Sequence, residues 1–241
     1  MSEIADVRLV WGGSEVIEVI RELPSLDHTE DLIFGPKFSI AVMDEEAISD
    51  EQNCAKLCRA LATDVVAFDQ RACSSPQILF VQAASIQELA VEKLLDTLAL
   101  EIQRAIDRIG TSPNDGHINM QIFSARAEYA MKEKAILRSG DSFHFSLLID
   151  DDLSLLEAVQ YRTLFIKVFR KIEDILGLVS PKIQTVGLGL LHSDNKMHWQ
   201  ELLAKRGVAR CVPMGTMNHF EHPWDGMFPL DRLVRWSRLT A

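Results

Sequence analysis

Val65-Val66-Ala67-Phe68-Asp69-Gln70-Arg71-Ala72-Cys73-Ser74-Ser75-Pro76-Gln77-Ile78-Leu79-Phe80-Val81 reads as strand, polar loop, strand. Short apolar runs flank a loop that holds one cysteine among small residues, an arginine and amides. A thiol acts as a nucleophile only as the thiolate, which positive charge or a helix N-terminus favours. A strand end leading into small residues can also present backbone N–H groups to an oxyanion. A cysteine met at random is most often core, but a packing cysteine sits on an apolar face, and Cys73 does not. Cys54 and Cys58 do, sharing helical spacing with Leu57, Leu61 and Ala62, and Cys211 lies in the apolar run Val208 to Val212. The CxxxC spacing of the first two has no further ligand nearby to complete a metal site.

Outward from this loop, strands and helices alternate. Strands are predicted at Val7 to Trp11, Ser39 to Met43, Phe143 to Ile149, Tyr161 to Phe169, Ile183 to Leu191 and Val208 to Val212. Helices are predicted at Ser14 to Leu23, Glu45 to Ala62, Ile86 to Ile109, His117 to Leu137, Lys171 to Leu178, Trp199 to Lys205 and Leu230 to Trp236. Gly110 is a natural C-cap, Thr111-Ser112-Pro113-Asn114-Asp115-Gly116 a loop, and Gly187 and Gly189 allow close approach to their strand. Repeated β-then-α order implies an α/β fold with a largely parallel sheet flanked by helices.

The chain has 241 residues, 47% hydrophobic and 25% charged, enough for a substantial core. A net charge of −10 without a basic stripe argues against broad nucleic-acid binding. Asp150-Asp151-Asp152 reads as a strand-terminating loop rather than a metal site, since no histidine or further carboxylate completes a ligand set. No apolar run approaches the ~18 residues of a membrane span, and there is no signal-peptide pattern. Four cysteines without framework spacing point to a reducing, cytoplasmic setting.

Three segments together carry a family resemblance. Phe68 to Gln77 resembles the active-site segment of the acyl-CoA reductases of the bacterial bioluminescence fatty-acid reductase family, distant members of the aldehyde dehydrogenase superfamily. Asp6-Val7-Arg8-Leu9-Val10-Trp11-Gly12-Gly13-Ser14-Glu15, with Phe34-Gly35-Pro36-Lys37-Phe38-Ser39, resembles the entry into that family's catalytic domain. Met217-Asn218-His219-Phe220-Glu221-His222-Pro223-Trp224-Asp225-Gly226 resembles its closing substrate-side loop. The resemblance implies a fold like the aldehyde dehydrogenase catalytic domain. It also implies that Cys73 attacks an acyl-CoA thioester and that the acyl-enzyme is reduced to a fatty aldehyde by NADPH. Gln70, Ser74, Gln77, His222 and Asp225 then support the nucleophile or face the substrate. Aldehyde-oxidising relatives carry Leu-Glu-Leu-Gly-Gly-Lys, whose Glu activates water; Leu32-Ile33-Phe34-Gly35-Pro36-Lys37 places Ile33 there, and an apolar side chain is no base.

The departure from the family concerns the cofactor. Neither G-x-G-x-x-G nor a Walker-type loop is present. Residues 1–30 look like the last β-turn-α unit of a dinucleotide-binding domain, with Gly12, Gly13 and Ser14 at a phosphate-sized turn and Ser14 as N-cap. Residues 31–216 form the expected catalytic domain, and 217–241 the substrate-side loop with a C-terminal helix. That loop is expected to fold back toward Cys73. On this reading the chain is the catalytic half of a larger enzyme, either truncated or one subunit of a split protein, with a separate dinucleotide-binding half and a homo-oligomer as the partners to look for.

Alternatives stand beside this reading. His222 and Asp225 can serve a thiol as base and orienter, making a hydrolase or acyltransferase, or they can sit in a plain Pro-Trp-Asp-Gly turn with exposed histidines. The spacings of these histidines with Cys211 fit no common zinc site. His28 beside Asp27 is an acid candidate or a surface histidine. A non-catalytic assembly subunit is the third reading.

Overall fold

The computed structural model describes residues 2–112, 115–141, 143–155 and 157–238. In chain order its elements are β1 (Val7–Trp11), α1 (Ser14–Glu22), β2 (Glu30–Phe34), β3 (Phe38–Met43), α2 (Glu45–Ser49), α3 (Glu51–Val66), β4 (Pro76–Gln82), α4 (Leu89–Ile109), α5 (Gly116–Met131), β5 (Ile136–Ser139), β6 (Ser146–Asp150), β7 (Thr163–Phe169), α6 (Ile172–Leu176), β8 (Ile183–Gly189), α7 (Ser193–Lys205), β9 (Arg210–Pro213) and α8 (Pro229–Arg232). They fall into two compact units, Met1–Lys37 with Phe220–Ala241, and Phe38–His219.

The larger unit is built on a seven-stranded sheet of order β5-β6-β7-β4-β3-β8-β9. Every pair is parallel except β5 with β6. The central strands are apolar on both faces, as parallel strands covered by helices must be. Period-two alternation divides them. Ala41, Met43, Leu79 and Val81 face α3 and α4, while Ile40, Val42, Ile78 and Phe80 share the opposite core with Tyr129 of α5, Ile175 of α6 and Leu203 of α7. The α/β class and largely parallel sheet thus match the sequence reading.

Several elements differ from it. Val65 and Val66 close α3 rather than forming a strand, and Ala67–Gln70 is a 3-10 turn. The reason is that Cys58, Leu61, Ala62, Val65 and Val66 continue one buried helical stripe, so the first two of the apolar quartet belong to the 3.6 period, while Phe68 leaves the helix exposed. The expected helix from Glu45 splits at Asp50, which ends α2 and caps α3 by accepting from the Asn53 N–H at 2.8 Å. The expected helix to Leu137 stops at Met131, and Ile136–Ser139 is the antiparallel edge strand. β6 starts at Ser146 and β7 at Thr163, later than expected, while α7 starts earlier, at Ser193. β2 is a strand that the sequence did not suggest, and the closing helix is only Pro229–Arg232. Gly110 caps α4 with φ +79°. Pro113 and Asn114 of the expected loop lie outside the described residues.

Lys167 and Asp150 face each other across β7 and β6, both buried, with Nζ 2.5 Å from Oδ1. Lys167 also donates to the Tyr129 hydroxyl at 3.2 Å, and Lys132 reaches Oδ2 of Asp150 at 3.1 Å. Burial pulls the Asp150 carboxyl upward, but Lys167 and Lys132 outweigh it and leave it below its ordinary value. The first aspartate of the triplet is therefore engaged inside the sheet.

In the smaller unit β1 and β2 pair in parallel, with Trp11 stacked on Phe34 at 4.5 Å. Arg8 grips Asp31 in a two-pronged pair along one guanidinium edge, Nε to Oδ1 at 2.6 Å and Nη2 to Oδ2 at 2.7 Å. The N-cap of α1 is Gly13 without a side-chain cap, so Ser14 is the first helical residue and not the cap expected of it. His28 pairs at the surface with Asp6, 3.1 Å away.

Removing one partner of a buried ion pair strands the other charge. Lys167→Met is expected to cost about 3–5 kcal/mol in urea unfolding, and adding Asp150→Leu to recover much of that loss. Additive losses in the double variant would show that the two charges do not depend on one another.

Candidate active site

The strands of a parallel sheet start along one edge, and the candidate site lies on that edge. Cys73 comes three residues before β4, between the 3-10 turn and Pro76. Beside β4 runs β3, then β8, then β9. The starting residues of these neighbours hold the loop. Ser39 of β3 donates its hydroxyl to the Cys73 carbonyl at 2.7 Å and accepts from the Thr185 N–H of β8 at 3.2 Å. The register of β3 shifts against both neighbours beside Ser39. Such an irregularity re-aims a side chain at the end of a ladder. Gln184, the second residue of β8, brings Nε2 to 3.2 Å from the Cys73 sulfur. Cys73 itself is half-buried.

The entry to the loop is strained. Phe68, Asp69 and Gln70 have φ of 56°, 53° and 59°, and the facing turn Gln160, Tyr161 and Arg162 has 63°, 48° and 64°. Left-handed backbone costs a non-glycine residue about 1–2 kcal/mol, so surrounding contacts must over-determine it. Asp69 supplies them: its carboxylate pairs with buried Arg162, its carbonyl accepts from the Tyr161 N–H at 3.0 Å, and Oδ2 accepts from Ser112 N–H at 3.2 Å. Two glutamines finish the fold of the loop. Gln70 Nε2 donates to the Pro76 carbonyl at 2.7 Å, and Gln77 Nε2 to the carbonyls of Gln70 at 2.9 Å and Ser75 at 3.2 Å.

The exit is clamped from the far end of the unit's chain. Ser74 and Ser75 both donate to Asn218 Oδ1, at 2.8 and 3.1 Å, while Asn218 Nδ2 donates to the Asp64 carbonyl at 2.9 Å. Asp64, in the last turn of α3, accepts from the N–H groups of Gly215 at 2.5 Å and Met217 at 3.2 Å. Arg210 at the start of β9 donates to the Met217 and His219 carbonyls at 3.3 and 3.0 Å. Met217 packs where Gly187 has no side chain; a Cβ there would lie 2.5 Å from its sulfur. The glycine noted in the sequence thus admits a methionine of the clamping segment.

Cys73, Gln70, Ser74 and Gln77 therefore come together in the larger unit. Gly12, Gly13, Ser14, His222 and Asp225 belong to the smaller one. There the His222 ring meets Phe220 edge-on at 5.4 Å, and Asp225, at φ 52° in the Trp224–Met227 turn, pairs with Lys37 at 3.7 Å. Asn218, Gln184, Ser39, Asp64 and Arg210 were not named as site residues from the sequence. The available signal was polarity out of place, an amide and a threonine near the start of the mostly apolar β8 and one arginine opening β9. Among the other cysteines, Cys54 and Cys58 are buried in the α3 core; Cys54 and burial push the Cys58 thiol far up, and burial pushes Cys211 up to about 11.

A family model described as acyl-CoA reductase (LuxC) matches residues 1–236. Long-chain acyl-protein thioester reductase 2 of Photobacterium leiognathi is 27% identical over 242 residues, covering 96% of this chain and 46% of that protein. The long-chain acyl-protein thioester reductase of Aliivibrio fischeri is 26% identical over 241 residues with the same shares. The chain thus spans about half the length of the curated relatives it matches. Among solved structures, a putative methylmalonate-semialdehyde dehydrogenase from Sinorhizobium meliloti complexed with NAD superposes with a TM-score of 0.62 at 14% identity, over 89% of this chain and 46% of that one. A 1-pyrroline-5-carboxylate dehydrogenase variant from Thermus thermophilus gives 0.62 at 12% identity, over 86% and 42%. At such identities the likeness is one of fold, the aldehyde dehydrogenase fold.

Burial pushes the Asp64 carboxyl up to about 6, against the backbone donors that favour its charge. Its pKa in the folded chain thus lies above the unfolded value of 3.8. The folded state then holds a proton that the unfolded state has lost, so this contribution is complete below pH 3.8 and disappears as pH rises through about 6. Urea unfolding between pH 4 and 7 is expected to show wild type losing stability relative to Asp64→Asn across that window. A constant gap would show that Asp64 does not titrate there.

Proposed function

The chain belongs to the acyl-CoA reductase (LuxC) family, and from that premise we propose that it is the catalytic portion of an acyl-thioester reductase with Cys73 as nucleophile. The observation that carries this reading is the construction around Cys73. Its carbonyl is tied by Ser39, its sulfur contacts Gln184, and the serines after it are clamped by Asn218. Fixing one thiol by contacts from several strands suits transfer chemistry, where orientation supplies much of the rate.

The Cys73 thiolate attacks the carbonyl carbon of a long-chain acyl thioester, and the thiol of the leaving group departs, leaving an S-acyl cysteine. Acyl-CoA is the donor that the family description suggests, and a protein-bound acyl thioester is the one named in the relatives. Gln70 and Gln77 keep the loop in its left-handed course, and Ser74 ties it to Asn218. His222 and Asp225 are proposed to face the substrate. Ile33, which the resemblance sets at the position of the base of oxidising relatives, has no group able to activate water.

Reduction to aldehyde would need a hydride, which a nicotinamide dinucleotide, proposed to be NADPH, would supply when bound. The residues present do not fit that group. Gly12, Gly13 and Ser14 leave the first turn of α1 without a side-chain cap, which suits one phosphate. Yet Glu15 carries like charge into that turn, a Cβ on Gly13 would meet nothing within 4 Å, and only β1 and β2 pair beside it among the described residues. Residues 1–30 are therefore proposed as one unit of a dinucleotide-binding half that is completed in cis or by a second polypeptide. The acyl transfer involves no dinucleotide.

Radiolabelled acyl-CoA followed by peptide mapping is expected to place the label on Cys73, stable to water and absent in Cys73→Ala. Label on Cys54, Cys58 or Cys211, with Cys73 unmodified, would overturn the assignment, and rapid release of free acid would favour a hydrolase. The 241-residue polypeptide is further expected to give no steady NADPH oxidation with acyl-CoA until a dinucleotide-binding half is added. Oxidation by the polypeptide alone, lost in Cys73→Ala, would refute the need for that half.

A further inference from the structure

We propose that Gln184 is a catalytic residue: its carboxamide N–H donates to the Cys73 sulfur as thiolate and then follows the negative charge onto the oxygen of the first tetrahedral adduct. The inference rests on Cys73 being the nucleophile and assigns a partner to that sulfur. Gln184 is only 1% exposed and lies between Ile183 and Thr185 at the start of β8, anchored on a strand rather than on the mobile end of a loop. Burying an amide there is unfavourable unless it finds a partner, and its Nε2 lies 3.2 Å from Sγ of Cys73. The next residue acts on the same cysteine, because Thr185 N–H fixes the Ser39 hydroxyl that donates to the Cys73 carbonyl. The start of β8 thus holds Cys73 at both its main chain and its sulfur, which fixes where the thiol points.

A neutral donor has a particular use here. A thiolate stabilised by a full positive charge gains population but loses nucleophilicity as its pKa falls, and a single amide lowers the pKa by less. In the attack a bond forms between Sγ and the acyl carbon, and the carbonyl electron pair moves to oxygen. That oxygen is bonded to the carbon now attached to Sγ, so it develops charge within reach of the donor that had served the sulfur. Collapse returns the pair, breaks the bond to the leaving thiolate, which takes a proton from water, and leaves Cys73 as a thioester. A donor fixed before the reaction stabilises such charge without having to reorganise.

The charged groups on the elements around the loop include Arg210, which contacts Thr185 Oγ1 at 3.4 Å, the Asp69–Arg162 pair, Arg71 against Tyr161, Asp64 beneath Asn218, His219, Lys182 just before β8, and Lys167 in β7, held by Asp150. Substitutions at Gln184 leave all of them in place. The experiment uses the 241-residue chain as wild type, Gln184→Met and Gln184→Glu, with iodoacetamide as probe and mass spectrometry of the Cys73 peptide as readout. In Gln184→Met the midpoint of the alkylation–pH profile is expected to rise by about one pH unit, the size of one lost charge-assisted hydrogen bond. Gln184→Glu, nearly isosteric, is expected to rise further because a carboxylate then faces the thiolate, and it carries the test if Gln184→Met does not fold. Acylation by acyl-CoA at fixed pH is expected to fall at least about tenfold in both. Folded variants with the wild-type profile and wild-type acylation would overturn the proposal. Acyl label that persists in Cys73→Ala would instead sink the nucleophile assignment, whereas the alkylation profile is read on the thiol itself.

Discussion

The geometry of this site depends on the buried pairing of Asp69 with Arg162. Six residues in two facing turns hold left-handed backbone without a glycine among them. Left alone, each of those residues would relax to an ordinary conformation, and the loop carrying Cys73 would swing with them. The ion pair links one turn to the other, and the Tyr161 N–H adds a main-chain bond across the same gap. Arg162 also donates to the His144 carbonyl at 2.6 Å, so its charge is anchored to the approach to β6 as well. Strain of this kind persists only where the surroundings fix it, and here it precedes a thiol.

A related economy runs through the unit's interior. The protein is acidic overall, yet Arg162 just before β7, Lys167 within β7 and Arg210 at the start of β9 are all buried. Each is matched differently: Arg162 by a carboxylate and a carbonyl, Lys167 by a carboxylate and a phenol, Arg210 by carbonyls and a hydroxyl. Buried charges of this kind do little for net stability. Two of the three, Arg162 and Arg210, instead fix segments that shape the loop of Cys73.

Much of the architecture was legible because periodicity reports burial directly. Leu94, Leu98, Ile102 and Ala105 can only be one helical stripe, and Ile40 to Met43 are apolar on both faces because helices cover both. The quartet Val65 to Phe68 misled because four apolar residues fit either period, and only the preceding Cys58 and Leu61 show which one holds. Cys73 was legible through its polar neighbours. The residues that hold it were not. Gln184 is 111 positions away and Asn218 is 144 or 143 from the serines it binds, and no local pattern announces a hydrogen bond across such distances. Asn218 even lies within the stretch Met217 to Gly226, but a neutral amide there carries none of the chemical signal of its neighbours His222 and Asp225.

Those same separations bear on how the protein is made. A growing chain emerges residue by residue, and α3, the left-handed turn and Cys73 leave the ribosome long before β8 or the Asn218 clamp exists. Contacts between distant segments also close late in folding, because the intervening chain must first be ordered. The thiol therefore spends synthesis without Gln184 at its sulfur or Asn218 at its flank. Its reactive geometry arises only when the final strands of the sheet have docked, which ties the appearance of the nucleophile to completion of the unit around it.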